Sequence, residues 1–133
     1  MYTFETSVRL HDTDAAGILF FANQFKFAHD AYESFLRENN LGFARIFNES
    51  DYLLPIVHAE ADYKATLDVG DKLSVQMKTE KIGDSSFTLS YDIMNSGGDN
   101  IGRVRTVHVC MDRGTLLKKT IPAPLRKALN DNF

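Results

Sequence analysis

Apolar and polar residues alternate along residues 2–10, with Tyr2, Phe4, Thr6, Val8 and Leu10 on one face and Thr3, Glu5, Ser7 and Arg9 on the other. A period of two predicts a half-buried strand. A polar turn follows, and from about Ala22 to Asn39 the spacing predicts a helix. Its apolar positions, Phe25, Phe27, Ala28, Ala31, Tyr32, Phe35 and Leu36, occupy more than one stripe, so the helix is expected to be wrapped by other structure. Asn39, Asn40 and Gly42 end it, and residues 41–48 are expected to form a second short helix. The period then returns to two. Val57, Ala59, Ala61 and Tyr63 oppose His58, Glu60, Asp62 and Lys64; Leu73, Val75 and Met77 oppose Ser74, Gln76 and Lys78; Phe87, Leu89, Tyr91 and Ile93 oppose Thr88, Ser90 and Asp92. Residues 101–111 make the last long strand, and Pro122 and Pro124 lead into a short terminal helix over 125–129.

Turn-like breaks at Asp68-Val69-Gly70-Asp71, Gly83-Asp84-Ser85 and Ser96-Gly97-Gly98-Asp99-Asn100 predict hairpin links between the four later strands. The fold class is therefore α+β, a five-stranded antiparallel sheet packed on one long helix. Such a sheet leaves an edge open, and a second copy of the chain would cover it, so a homodimer is expected.

Composition narrows the function classes. With 133 residues and 44% hydrophobic content, the chain fits one domain, residues 1–133. A net charge of -3 without a Lys/Arg run argues against a nucleic-acid surface. No apolar run approaches the roughly 18–20 residues of a membrane span, and Met1 to Glu5 lacks a signal-peptide pattern. Cys110 is the single cysteine, which excludes an internal disulfide and favours a cytoplasmic location.

The chemistry concentrates in His11-Asp12-Thr13-Asp14-Ala15-Ala16-Gly17-Ile18-Leu19-Phe20-Phe21-Ala22-Asn23. Carboxylates and a glycine precede a helix start, where free backbone N–H groups attract negative charge. A carboxylate beside such donors suits acyl transfer, because the N–H groups can hold a developing oxyanion. No G-x-S-x-G elbow is present, which argues against a serine hydrolase.

The element order, with Asp12-Thr13-Asp14-Ala15-Ala16-Gly17 followed by Asn23, resembles the hotdog-fold acyl-CoA thioesterases of the 4-hydroxybenzoyl-CoA thioesterase type over essentially the whole chain. Phe20 to Phe25, His29 to Ser34 and Leu54 to Ala59 look like one branch, the 1,4-dihydroxy-2-naphthoyl-CoA thioesterases of menaquinone and phylloquinone biosynthesis. The resemblance implies a hotdog fold, a homodimer or a tetramer, and hydrolysis of an aromatic acyl-CoA with no cofactor beyond the CoA of the substrate. It puts the catalytic carboxylate on Asp14, as nucleophile or as general base, and the oxyanion donor on the backbone N–H of Phe21. Gly17 is expected to shape the turn. Many relatives carry histidine at the position of Phe21, and its absence here favours aryl-CoA branches over short-chain ones. The basic cluster that holds the CoA phosphates in the hydroxybenzoyl enzymes is mostly missing, leaving Lys81, Lys64 and Arg103 as guesses for that role.

Each residue has a plainer reading. Asp14 suits an Asx turn or cap, Asp12 is expected to stabilise the turn, and Asn23 to cap or brace it. His29 is either a packed core residue or, at a position that resembles an aryl-hydroxyl contact, a substrate ligand. His58, Glu60 and Asp62 share a strand face at a spacing open to a metal, but are read as a polar interface or a solvated face with no metal; His58 would border the active site if its strand pairs with a dimer mate. Cys110 reads as a small buried hydrophobe. Within the same fold, a thioesterase for another aryl-CoA, short-chain acyl-CoA or acyl carrier protein stays open. An acyl-CoA dehydratase is disfavoured by the lack of a histidine after Gly17, and a non-catalytic acyl-CoA or protein-binding module is the alternative from another class.

Overall fold

The computed structural model describes residues 1–133. Strand β1 spans Tyr2–Ser7, and a single 3₁₀ turn over Leu10–Asp12 follows it. Helices α1 and α2 span Asn23–Glu38 and Phe43–Glu49. Then come β2 (Tyr52–Leu53), β3 (Ile56–Tyr63), β4 (Lys72–Ile82), β5 (Ser86–Asn95), β6 (Asn100–Val109), β7 (Met111–Asp112) and α3 (Ala123–Asn130). Five strands form one antiparallel sheet in the order β1-β4-β5-β6-β3, and β2 pairs with β7 as a separate short ribbon.

Only β4–β5 and β5–β6 are hairpins. The expected hairpin between β3 and β4 is replaced by a connection that carries the chain from one side of the sheet past β6 and β5. Its turn residues serve another purpose. Gly70, at φ +88°, donates its N–H to Val8 O at 2.8 Å, Val8 N–H donates to Asp71 O at 2.9 Å, and Leu19 N–H donates to Leu67 O at 2.7 Å. The loop from Leu67 to Asp71 thus braces the end of β1 and the polar turn instead of reversing a strand.

Helix α1 buries Phe27, Ala28, Ala31, Tyr32, Phe35 and Leu36 in a cluster with Val75, Met77, Leu89, Tyr91, Ile93 and Val104 of the sheet. Lys26, His29, Glu33 and Arg37 mark the side of the helix that stays open to solvent. At its C-terminal end, Asn39 Nδ2 donates to Phe35 O at 2.8 Å and Asn40 takes φ +59°, so left-handed backbone closes the helix as C-terminal caps do. Strand β4 follows the expected alternation, with Leu73, Val75 and Met77 buried. The pairing of β4 with β1 stops at Met77, and beyond it Thr79 N–H donates to Asn132 O at 2.8 Å, which docks the end of α3.

Strand β3 departs from the half-buried pattern its alternation suggests. Of its eight residues only Ala61 is partly covered, and Ile56, Val57 and Tyr63 stand exposed. It pairs with β6 on one side alone, and no second layer covers its faces. No helix is long and apolar enough to cross a membrane.

One contact fixes how α1 lies on the sheet. Gln24, almost fully buried, donates Nε2 to Asp62 O at 2.9 Å and to Arg103 O at 3.4 Å, bridging β3 and β6. Gly102 leaves the space for it, since a Cβ there would stand 2.8 Å from Gln24 Cδ. Gly102→Ala should therefore destabilise the fold by about 1–3 kcal/mol, the usual cost of overpacking a closed site. Gly97→Ala in the exposed β5–β6 turn should change little. Denaturant unfolding of the two variants checks the difference.

Candidate active site

The polar turn folds as a small hairpin anchored by Asp12. Residues Thr13 and Leu19 bridge, Asp14 N–H donates to Ile18 O at 3.0 Å, and Gly17 N–H returns to Asp14 O at 3.0 Å. Gly17 sits at φ +80°, a left-handed conformation that side chains rarely adopt, so its expected part in shaping the turn has a direct backbone cause. Ile18 bridges Asp68, which ties the hairpin to the β3–β4 connection.

Asp12 is only 1% exposed. Its Oδ2 accepts Arg9 N–H at 2.9 Å, its Oδ1 accepts Lys26 Nζ at 2.7 Å, and its backbone oxygen accepts both Phe20 N–H and Asn23 Nδ2, each at 2.9 Å. Burial alone would raise its pKa. The Lys26 hydrogen bond and charge, together with the Arg9 N–H, outweigh burial and hold the carboxyl below the usual carboxylate range. Asp12 is thus the turn-stabilising residue, and Asn23 braces the turn and leaves the helix end uncapped by a side chain.

Asp14 lies at the exposed tip. Its Oδ1 accepts Ala16 N–H at 2.8 Å, an Asx turn, and its Oδ2 has no partner. Phe21 is 63% exposed, its N–H and that of Ala22 bond to nothing within the chain, and its O accepts Tyr63 Oη at 3.0 Å. The rings of Phe20 and Phe21 lie 4.9 Å apart and those of Phe21 and Tyr63 6.2 Å apart. A free carboxylate oxygen, two free N–H groups ahead of a 16-residue helix and the tilted rings of Phe20 and Phe21 therefore share one loop. Donors so placed can take up negative charge.

The remaining sequence-derived residues fall in different places. His29 is exposed on the open side of α1, which overturns the packed-core alternative. Its ring stacks on Phe43 at 5.7 Å and meets Tyr32 edge-on at 5.8 Å. It borders a cavity of about 270 Å³ lined by Phe25, Lys26, Ile56, Tyr91 and Thr106. His58 is exposed on β3, with Nε2 3.6 Å from Glu60, which in turn meets Arg105 at 3.1 Å. Of the phosphate-binding guesses, Arg103 is engaged with Asp92 at 3.0 Å, while Lys81 stands at the β4 bulge and Lys64 follows β3, so no basic cluster forms. Cys110 is buried, and burial raises its thiol pKa.

Sequence reading missed His108, which is fully buried with Nε2 2.8 Å from Thr106 Oγ1. Burial, reinforced by the charge of His29, lowers its pKa to about 3. The available signal was period two on β6, where Thr106 and His108 share the inward face with Val104, a spacing that Cys110 continues just past the strand.

Comparison with known proteins fits this geometry. A model of the thioesterase-like superfamily matches residues 8–129. The chain belongs to this superfamily. A 1,4-dihydroxy-2-naphthoyl-CoA hydrolase of Thermosynechococcus vestitus is 34% identical over 92% of this chain and 84% of its own length. The crystal structure of a 1,4-dihydroxy-2-naphthoyl-CoA thioesterase from Synechocystis superposes with a TM-score of 0.93 at 33% identity, covering 98% of this chain and 96% of that one. A gentisyl-coenzyme A thioesterase gives 0.85 at 27%, covering 96% and 98%. In this thioesterase-like chain the hotdog fold is realised as α1 laid against a five-stranded antiparallel sheet.

Replacing Asp12 tests the anchor of the turn. Because its folded pKa is depressed, its stabilising contribution is present above the ordinary carboxylate range and lost as pH falls through the folded value. Asp12→Asn should cost about 1–2 kcal/mol at pH 7, given that Lys26 is partly solvated. The gap to wild type should begin to narrow below about pH 4 and close only once pH has fallen through the lower folded value. Thermal unfolding across pH reads both outcomes.

Proposed function

We propose that this protein hydrolyses an aromatic acyl-CoA thioester to the free acid and CoA, with 1,4-dihydroxy-2-naphthoyl-CoA as the leading substrate and quinone biosynthesis as its setting. The observation that carries the reading is the pairing, on one loop, of the Asp14 carboxylate with the unpaired Phe21 N–H at the start of α1. The names of the relatives at 33–34% identity support the choice of acyl group.

Two routes use this pairing. In one, an Asp14 oxygen bonds to the acyl carbon, the C–S bond breaks, CoA leaves as thiolate, and water then cleaves the mixed anhydride. In the other, Asp14 takes a proton from a water whose oxygen bonds to the acyl carbon, and the thiolate leaves and is protonated. Each consumes one water and yields acid and thiol. Each develops negative charge on the acyl oxygen, where Phe21 N–H would donate. No cofactor is called for beyond the CoA of the substrate. His29, beside an apolar cavity of aryl size, is assigned to substrate binding, as is His58 on the open β3 edge.

A homodimer is part of this reading. Strand β3 leaves its outer edge unpaired and exposes Ile56, Val57 and Tyr63, surface that a second copy would cover. A cytoplasmic location accords with one buried cysteine and no disulfide. The gentisyl-coenzyme A relative favours a second substrate reading, another hydroxylated aryl-CoA.

Thiol release from a panel of aryl-CoA, short-chain acyl-CoA and acyl carrier protein thioesters should show the naphthoyl ester turned over fastest. No release from any member would favour a binding module. Asp14→Asn should lose about 10²–10⁴-fold in kcat while folding normally; a folded variant that keeps more than about a tenth of wild-type kcat would refute the carboxylate mechanism. Light scattering of the wild type should give about twice the 15.0 kDa chain mass, or four times if dimers pair.

A further inference from the structure

The cavity beside His29 ends on a hydroxyl pair whose hydrogens do not balance. Phe25, Ile56, Lys26 and His29 form its outer part; Tyr91 and Thr106, each 5% exposed or less, form its floor. Thr106 Oγ1 is 3.2 Å from Tyr91 Oη and 2.8 Å from His108 Nε2, and none of the three groups has another partner.

The protonation of His108 sets the count. Its ring is stacked on Phe87 at 4.7 Å and tilted against Tyr32 at 4.6 Å, no carboxylate pairs with it, and burial keeps it neutral at any ordinary pH. A neutral imidazole carries one hydrogen. Nδ1 is buried without a partner. A hydrogen on Nδ1 would be a buried donor with nothing to bond, whereas one on Nε2 meets Thr106 Oγ1, so the hydrogen belongs on Nε2 and points at Thr106. Three donor hydrogens then stand in the string: His108 Nε2–H, the Thr106 hydroxyl and the Tyr91 hydroxyl. His108 donates to Thr106, and the two hydroxyls share one further bond. One O–H is left over, on Thr106 or on Tyr91, and both residues line the cavity. A hydroxyl that already accepts a hydrogen bond is the stronger donor, so the surplus hydrogen is primed by the string behind it.

We propose that Thr106 and Tyr91, oriented by His108, determine specificity by donating this surplus hydrogen bond to a ring oxygen of the acyl group remote from the thioester. The inference rests on the proposed thioesterase reading and deepens it. Along α1, the cavity residues Phe25 to His29 lie about 6 to 12 Å beyond Phe21 by helix rise, a span that suits a fused two-ring acyl group. Recognition of an oxygen in a mostly apolar pocket discriminates strongly, because an analogue lacking it leaves a buried donor unpaired.

The test compares 1,4-dihydroxy-2-naphthoyl-CoA with 1-hydroxy-2-naphthoyl-CoA, which lacks only the remote oxygen. Wild type should prefer the first by at least about tenfold in kcat/KM. The double variant Thr106→Val/Tyr91→Phe, which keeps shape but removes both hydroxyls, should bring the ratio near one with both esters still hydrolysed. Tyr91→Phe alone leaves the Thr106 hydroxyl and should keep most of the preference. Calorimetry of wild type with the two free acids in anaerobic buffer reads the pocket without turnover, and the dihydroxy acid should bind more tightly. If no thioester is hydrolysed yet the acids are discriminated, the thioesterase reading fails and the pocket assignment stands. A wild-type ratio near one in both measurements, or a double variant that keeps the preference, would overturn the proposal; the wild-type arms decide the matter if the double variant does not fold.

Discussion

A buried carboxylate on the loop between β1 and α1 carries much of this architecture. Asp12 gathers the start of the loop through Arg9, its end through Phe20 and Asn23, and the helix through Lys26. Burying a charge is costly unless it is hydrogen-bonded and paired, and Asp12 meets both conditions. Because it holds both ends of the loop, the short hairpin between them can present Asp14 at the surface. The chain thus divides the work between two acids two residues apart. One is fully engaged and inaccessible; the other is exposed with an oxygen to spare.

The second constraint lies in the β3–β4 connection. By running across the sheet, it supplies backbone partners for Val8, Ile18 and Leu19 and so braces the loop through contacts that do not involve Asp12. The same route sends β3 to the far side of the sheet, where it is left with one neighbour. Support of the loop and exposure of the edge are therefore consequences of one chain path.

Much of this was legible in the residues. The bounds of α1, the alternation of β4 and the terminal helix after Pro122 follow from local spacing, which is what periodicity reports. The path of the β3–β4 link was not, because Asp68 to Asp71 reads as a turn whether it closes a hairpin or braces another loop. Gln24 was equally silent, since its partners are backbone oxygens of two distant strands. His108 was hidden inside residues 101–111, which read only as one long strand. Separating Asp14 from Asp12 needed the family resemblance; the bonding of Asp12 then supplied its physical reason. His29 was placed on the right helix, but its outward direction depended on how the sheet meets α1.

Gln24 has one more effect. It sits between Phe21 and His29 and pins α1 to backbone atoms of β3 and β6, so the helix can neither turn about its axis nor slide along it without breaking those bonds. The spacing between the free N–H groups at its start and the cavity further along is then a property of rigid secondary structure, with no mobile flap involved. A molecule that touches both ends meets a ruler of constant length, and selection by length would hold across temperatures at which loops loosen.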